Sequence, residues 1–231
     1  MSRTDPIDSW YAASVPDFPV QPELQGTHSA DVCILGAGIT GLSTALELAE
    51  AGFSVIVLEA RRVGWGASGR SGGQAIFGFG CDQSKITAEV GLETSRRMFD
   101  WSIEGLDLIK QRCAKYAIDC DWRIGHAHVP IKPRQVAELK AWQDDLAENL
   151  MPNARYLGAL FDPRSGHLHP LKYTQGLAAA ALSLGVKIFE QSEVSQLQRT
   201  DKPLFKTARG EVRCEFAVLA GNAYVHGIAP E

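Results

Sequence analysis

Gly36, Gly38 and Gly41 stand in the spacing GxGxxG, as Gly36-Ala37-Gly38-Ile39-Thr40-Gly41, directly after the apolar run Asp31-Val32-Cys33-Ile34-Leu35. This spacing suits a chain that wraps an anion. The first glycine permits a tight turn out of a strand, the second lets the backbone approach a pyrophosphate, and the third lets the next helix lie close on the strand. The first amides of that helix have no partners within it and its dipole adds positive potential, so a phosphate is a natural occupant. Glu59 follows about 20 residues later, where an acid accepts hydrogen bonds from a ribose. Glycines so spaced also occur in plain turns; a strand before, a helix after and an acid beyond favour the dinucleotide reading.

Glu59 suits the adenosine ribose of FAD or of NAD equally, so the fingerprint leaves the cofactor open. The run after it, Arg61-Arg62-Val63-Gly64-Trp65-Gly66-Ala67-Ser68-Gly69-Arg70-Ser71-Gly72-Gly73-Gln74, mixes glycines with hydroxyl, cationic and amide side chains. It offers many free backbone donors and room for a large planar ligand. A flexible linker is the plain alternative, but Trp65 and the arginines are poor linker residues. Arg61 and Arg62 could instead take the 2′-phosphate of NADP.

These residues need a scaffold. Residues 39–51 place Leu42, Ala45, Leu46 and Ala49 at helical spacing, and Gly52 stands where a helix end favours positive φ. Ser54-Val55-Ile56-Val57-Leu58-Glu59 then reads as a second strand, completing a right-handed βαβ unit. Residues 85–115 read as one or two amphipathic helices, 120–131 as a strand stopped by Pro130 and Pro133, and 134–150 as a helix with Val136, Leu139, Trp142 and Leu146 on one stripe. Residues 171–185 are helical and run through Gly185 into a strand at 186–189, a second crossover into the first sheet, with further strands at 193–198, 205–208 and 212–220. The expected organisation is an N-terminal arm at 1–28, a βαβ unit with its glycine-rich loop at 29–80, an inserted region at 81–165, and a return to the first domain at 166–231.

A chain of 231 residues, 45% of them hydrophobic, can bury a sizeable core, and a net charge of -4 without a basic stripe argues against nucleic acid as a partner. No cationic n-region or long apolar run marks a leader or a membrane span. The cysteines, Cys33, Cys81, Cys113, Cys120 and Cys214, are odd in number and lack zinc spacing, which points to a reducing cytoplasm and no metal.

The stretch VCILGAGITGLSTALELAEAGFSVIVLEARRVGWGASGRSGGQ resembles the D-amino-acid-oxidase-like family of FAD-dependent oxidoreductases. Asp8-Ser9-Trp10-Tyr11-Ala12-Ala13-Ser14 and Ala67-Ser68-Gly69-Arg70 resemble its gamma-glutamylputrescine oxidase branch, and the likeness continues at His169-Pro170-Leu171, Gly176-Leu177, Glu193-Val194 and Val218-Leu219-Ala220-Gly221-Asn222. The resemblance implies a parallel Rossmann-like FAD-binding domain of the glutathione-reductase type, α/β in class, with an inserted partial substrate domain. It implies that Gly36, Ala37, Gly38, Ile39, Thr40 and Gly41 hold the pyrophosphate and that Glu59 holds the adenosine ribose. Ala60, Arg61 and Arg62 would line the adenosine side, and Gly66, Ala67, Ser68, Arg70, Ser71, Gly72, Gly73 and Gln74 would run toward the flavin ring. Val194 would meet the adenine and Ala220-Gly221 would close over the phosphates, while Asn222 departs from the Thr-Gly of many relatives.

The implied chemistry is oxidation of the C–N bond of a small amine or amino acid to an imine, which water hydrolyses to an aldehyde and ammonia, with molecular oxygen as acceptor giving hydrogen peroxide. No catalytic base is assigned, because a substrate amine need only arrive unprotonated. Family members run to about twice this length, so the chain is expected to be the N-terminal half of an enzyme; the alternatives are an NAD(P)-dependent reductase on the same fingerprint and a non-catalytic FAD-binding fragment. His126 with His128, and His167 with His169, alternate without a third ligand. Cys81 reads as a small buried side chain, Trp10 and Tyr11 as packing anchors, and Trp101 and Trp142 as core.

Overall fold

A computed structural model describes residues 8–129, 132–145, 160–225 and 227–228. In chain order its elements are α1 (Trp10–Ala13), β1 (Gly26–Leu35), α2 (Ile39–Glu50), β2 (Val55–Leu58), β3 (Gln74–Ala75), α3 (Gln83–Val90) and α4 (Leu92–Lys115). There follow β4 (Arg123–His128), α5 (Pro133–Asp145), β5 (Leu160–His167), α6 (Pro170–Ser183), β6 (Lys187–Phe189), β7 (Gln196–Gln198), β8 (Leu204–Lys206) and β9 (Gly210–Leu219). They divide into two units: Met1–Gly72 with Ile118–Cys120 and His169–Glu231, and Gly73–Ala117 with Asp121–Leu168.

The first unit is built on a six-stranded sheet ordered β6-β2-β1-β9-β8-β7. All four residues of β2, and Val32 to Leu35 of β1, are buried, as central strands covered on both faces must be. α2 turns Leu42, Ala45 and Leu46 inward and packs against α6, which buries Leu171, Tyr173, Leu177 and Ala178. Gly52, at φ +89°, ends α2: its N–H donates to Ala49 O and that of Phe53 to Leu48 O, satisfying carbonyls the helix leaves open. Gly185, at φ +86°, does the same for α6 and delivers the chain to β6, which pairs parallel with β2.

The sheet has the parallel centre expected of a Rossmann-like domain and an antiparallel edge. β6, β2, β1 and β9 are parallel neighbours, but β8 and β7 add to β9 antiparallel. The connections at 199–203 and 207–209 are too short for a crossover, which needs a dozen residues or so. β1 also starts at Gly26, earlier than its apolar run, because Gly26 to Ala30 pair with Gly210 to Cys214. Polar, half-exposed residues are held there by the ladder rather than by burial.

Among the described residues, the second unit has an antiparallel sheet ordered β3-β5-β4 and the helices α3, α4 and α5. Its core gathers Ala75, Phe77, Phe99 and Leu106, with Trp122, Leu139 and Trp142 against them. Gly91, at φ +79°, breaks the expected 85–115 segment into α3 and α4. Trp101, read as core, is 55% exposed with Arg97 over its ring, and Val136 is exposed as well. Cys81, read as buried, is exposed in the turn before α3. β5 carries Asp, Pro and Gly and was not expected as a strand; Asp162 accepts the N–H groups of Arg164 and Ser165, taking up a shift in its pairing with β4. The unit runs from Gly73 to Leu168, wider than the expected 81–165. Pro130 and Leu146, with the end expected for α5 at 150, lie outside the described residues.

Candidate functional site

β1 ends at Leu35 and turns sharply into α2. Gly36, at φ +104°, donates its N–H to Leu58 O at 2.8 Å, and a Cβ there would stand 2.7 Å from Ala220 O. A Cβ on Gly41 would collide with the carbonyl of Gly36, so the helix reaches the turn only because that position is bare. Gly38 is the N-cap of α2 and brings no side chain to its first turn. Ser68 caps from a distance instead, its Oγ accepting the Ile39 N–H at 2.9 Å. The loop carrying Ser68 is tied back to the turn by Gly64 N–H donating to Ala37 O at 3.0 Å.

Glu59 stands at the end of β2, facing the same turn. Its Oε2 accepts the Ala37 N–H at 2.8 Å and its Oε1 the Arg61 N–H at 2.9 Å. Burial raises its carboxyl above the usual 4.5; these two bonds and the Arg61 charge oppose the rise, and the Glu190 carboxylate adds to it. Each oxygen still has a lone pair to offer, so a hydroxyl pair can share the acid with the backbone.

Together these residues wall a cleft of about 410 Å³. Of the residues expected from sequence, Gly36, Gly38, Thr40, Glu59, Ala60, Arg61, Gly66, Ala67, Ser68, Val194, Ala220 and Gly221 line it. Ala37 is buried beneath the turn, and Ile39 and Gly41 stand behind it in α2. Arg62 is drawn away: its Nε lies 3.0 Å from Glu190 Oε2, and its guanidinium donates to Phe18 O at 2.8 Å. Arg70 is exposed, with its guanidinium over the Trp65 ring and bonded to Trp65 O. Ser71 and Gly72 are exposed beyond the cleft, and Gly73 and Gln74 belong to the second unit, where Gln74 pairs with His167.

Sequence reasoning missed part of the lining. Leu35, Leu58 and Leu219 stand at the carboxyl ends of three parallel strands, where ligands of open α/β sheets lie, so strand order would have found them. Trp65 also lines the cleft, with Arg61 5.1 Å from its ring centroid and the Tyr224 ring edge-on at 6.3 Å. Tyr224 gave no signal in sequence. It follows Asn222, which takes φ +52° and accepts the Ala223 N–H at its own Oδ1, a conformation asparagine tolerates better than most residues. Among the described residues no group of His, Cys, Asp and Glu is placed to hold a metal, and no helix is long and apolar enough to cross a membrane.

A glycine cradle over a helix N-terminus, with an acid at the next strand end, fits the ADP part of a dinucleotide. The chain is 39% identical to gamma-glutamylputrescine oxidoreductase of Escherichia coli (strain K12) over 96% of its length and 56% of that protein's. It is 42% identical to a probable oxidoreductase, OrdL, of Haemophilus influenzae over 90% of its length and 52% of that protein's. The chain thus spans about half the length of these relatives. The structure of L-amino acid deaminase from Proteus myxofaciens in complex with anthranilate matches with a TM-score of 0.72 and 25% identity, over 90% of this chain and 48% of that one. Residues 31–231 match the DAO family, described as FAD dependent oxidoreductase, and the chain belongs to that family.

Proposed function

We propose that this chain holds the ADP part of FAD in the cleft and serves an oxidase acting on the C–N bond of a small amine or amino acid. The observation that carries the reading is Glu59, held by two backbone N–H groups beside the glycine turn and open to the same cleft as Val194 and Ala220. The glycine turn and the first amides of α2 take the pyrophosphate, with Ser68 beside them. Glu59 orients the ribose, and Val194 lies under the adenine. When bound, FAD supplies the hydride acceptor; the imine so formed is hydrolysed by water to a carbonyl compound and ammonia, and oxygen, the final oxidant, leaves as hydrogen peroxide.

The pairing of Arg62 with Glu190 supports FAD over NADP, because it removes one of the two guanidinium groups that could meet a 2′-phosphate and leaves that role to Arg61. An amine of the gamma-glutamylputrescine kind is supported by the name of the Escherichia coli relative. No disulfide joins the five cysteines among the described residues, which supports a cytoplasmic setting. Purified from its native source, the protein carrying this chain is expected to show a flavin absorption spectrum and to form peroxide from a primary or secondary amine. A colourless protein that oxidises NADPH would overturn the reading.

A further inference from the structure

Glu190 is fully buried, one residue past β6. Its Oε1 accepts the Val63 N–H at 2.7 Å, and its Oε2 accepts the Gln21 N–H at 2.9 Å while lying 3.0 Å from Arg62 Nε. Arg62 in turn donates to Phe18 O, and the N–H of Glu190 donates to Pro22 O at 3.1 Å. Three stretches therefore meet at one carboxylate: the segment ahead of β1, the turn after Glu59, and the strand exit at 190. The neighbouring bonds run the same way, with Gln191 N–H on Arg61 O and Ser192 N–H on Glu59 O.

Burying an ion pair is a poor route to stability, since desolvating both charges cancels much of their attraction and an apolar pair would hold the fold as well. An apolar pair could not accept N–H bonds from two separate segments at once. That capacity sets the course of the chain between Glu59 and Trp65, both of which line the cleft. We propose that Glu190, through Arg62 and Val63, is a positioning residue for the adenosine end of the cleft, holding the turn that carries Arg61 and Trp65 into it. The proposal rests on reading the cleft as the FAD site.

The test uses the 231-residue chain, with FAD, ADP and inorganic pyrophosphate as probes, titrated by calorimetry. Glu190→Gln is expected to weaken ADP about tenfold, the loss of one charge-assisted contact, and to leave pyrophosphate, which touches only the glycine turn, within about twofold. Should Glu190→Gln fail to fold, Arg62→Gln provides the same comparison, its side chain being 24% exposed. Equal losses for ADP and pyrophosphate would reduce Glu190 to a general structural part and overturn the proposal, as would unchanged ADP affinity. An unaltered chain that binds neither FAD nor ADP would overturn the reading of the cleft, and the proposal with it.

Discussion

Glu59 holds two backbone N–H groups and still faces the cleft, so its charge serves the fold and remains open to a ligand. A charge-assisted bond to ribose hydroxyls is worth about 1.5–3 kcal/mol, so Glu59→Gln is expected to weaken FAD about 10- to 100-fold in a titration of the apoprotein. Unchanged affinity would show that the acid serves the turn alone. Burial holds its carboxyl above 4.5, so the folded chain binds that proton more tightly than the unfolded chain. The stability this contributes is complete below 4.5 and lost as pH rises through the raised value. Ribose hydroxyls prefer the ionised acceptor, so FAD affinity is expected to climb with pH across that same interval, and Glu59→Gln to flatten the rise. A slope that persists in the variant would place the titrating group elsewhere. Arg62 shows where residue type misleads: in sequence it is as good a phosphate ligand as Arg61, and it is Glu190 and Phe18 O, distant along the chain, that draw it away.

Among the elements, the strand–turn–helix carries the site, and its glycines play separable parts. A Cβ at Gly38 meets the end of a rotatable hydroxyl, Ser68 Oγ at 2.7 Å, whereas one at Gly41 meets the fixed carbonyl of Gly36. Gly41→Ala is therefore expected to cost about 1–3 kcal/mol of stability, read as a lowered melting temperature. Gly38→Ala is expected to melt near the unaltered chain while displacing Ser68 and weakening FAD. If the two variants melt alike, the division of labour is wrong. The βαβ unit was legible because its strands are buried on both faces and its helix keeps one apolar stripe, both properties local to the sequence. β5 and the first half of β1 were not, since Asp162 and Pro163, or Thr27 and Ser29, become strand only through partners far along the chain. The exposed Trp101 hid for a related reason: helical spacing shows a stripe but not which neighbour covers it.

Over the whole molecule, the cleft is confined to the unit formed by Met1–Gly72, Ile118–Cys120 and His169–Glu231, with walls drawn from sequence positions as distant as Gly36, Val194 and Tyr224. The glycine fingerprint located one wall and the family resemblance added Val194 and Ala220. The aromatic pair of Trp65 and Tyr224 needed the fold, because no local pattern ties a loop tryptophan to a tyrosine so far along the chain. With Arg62 held by Glu190 and Glu59 proposed to face the ribose, the chain is expected to bind ADP about tenfold more tightly than 2′,5′-ADP, by the cost of bringing like charges together. Equal binding would restore the NADP alternative. The central claim, that this cleft is built for FAD, is tested most directly by calorimetric titration of the purified apoprotein with FAD. Saturable one-to-one binding that Glu59→Gln weakens is the predicted result, and the absence of binding, or binding indifferent to Glu59→Gln and Gly38→Ala alike, would contradict the account.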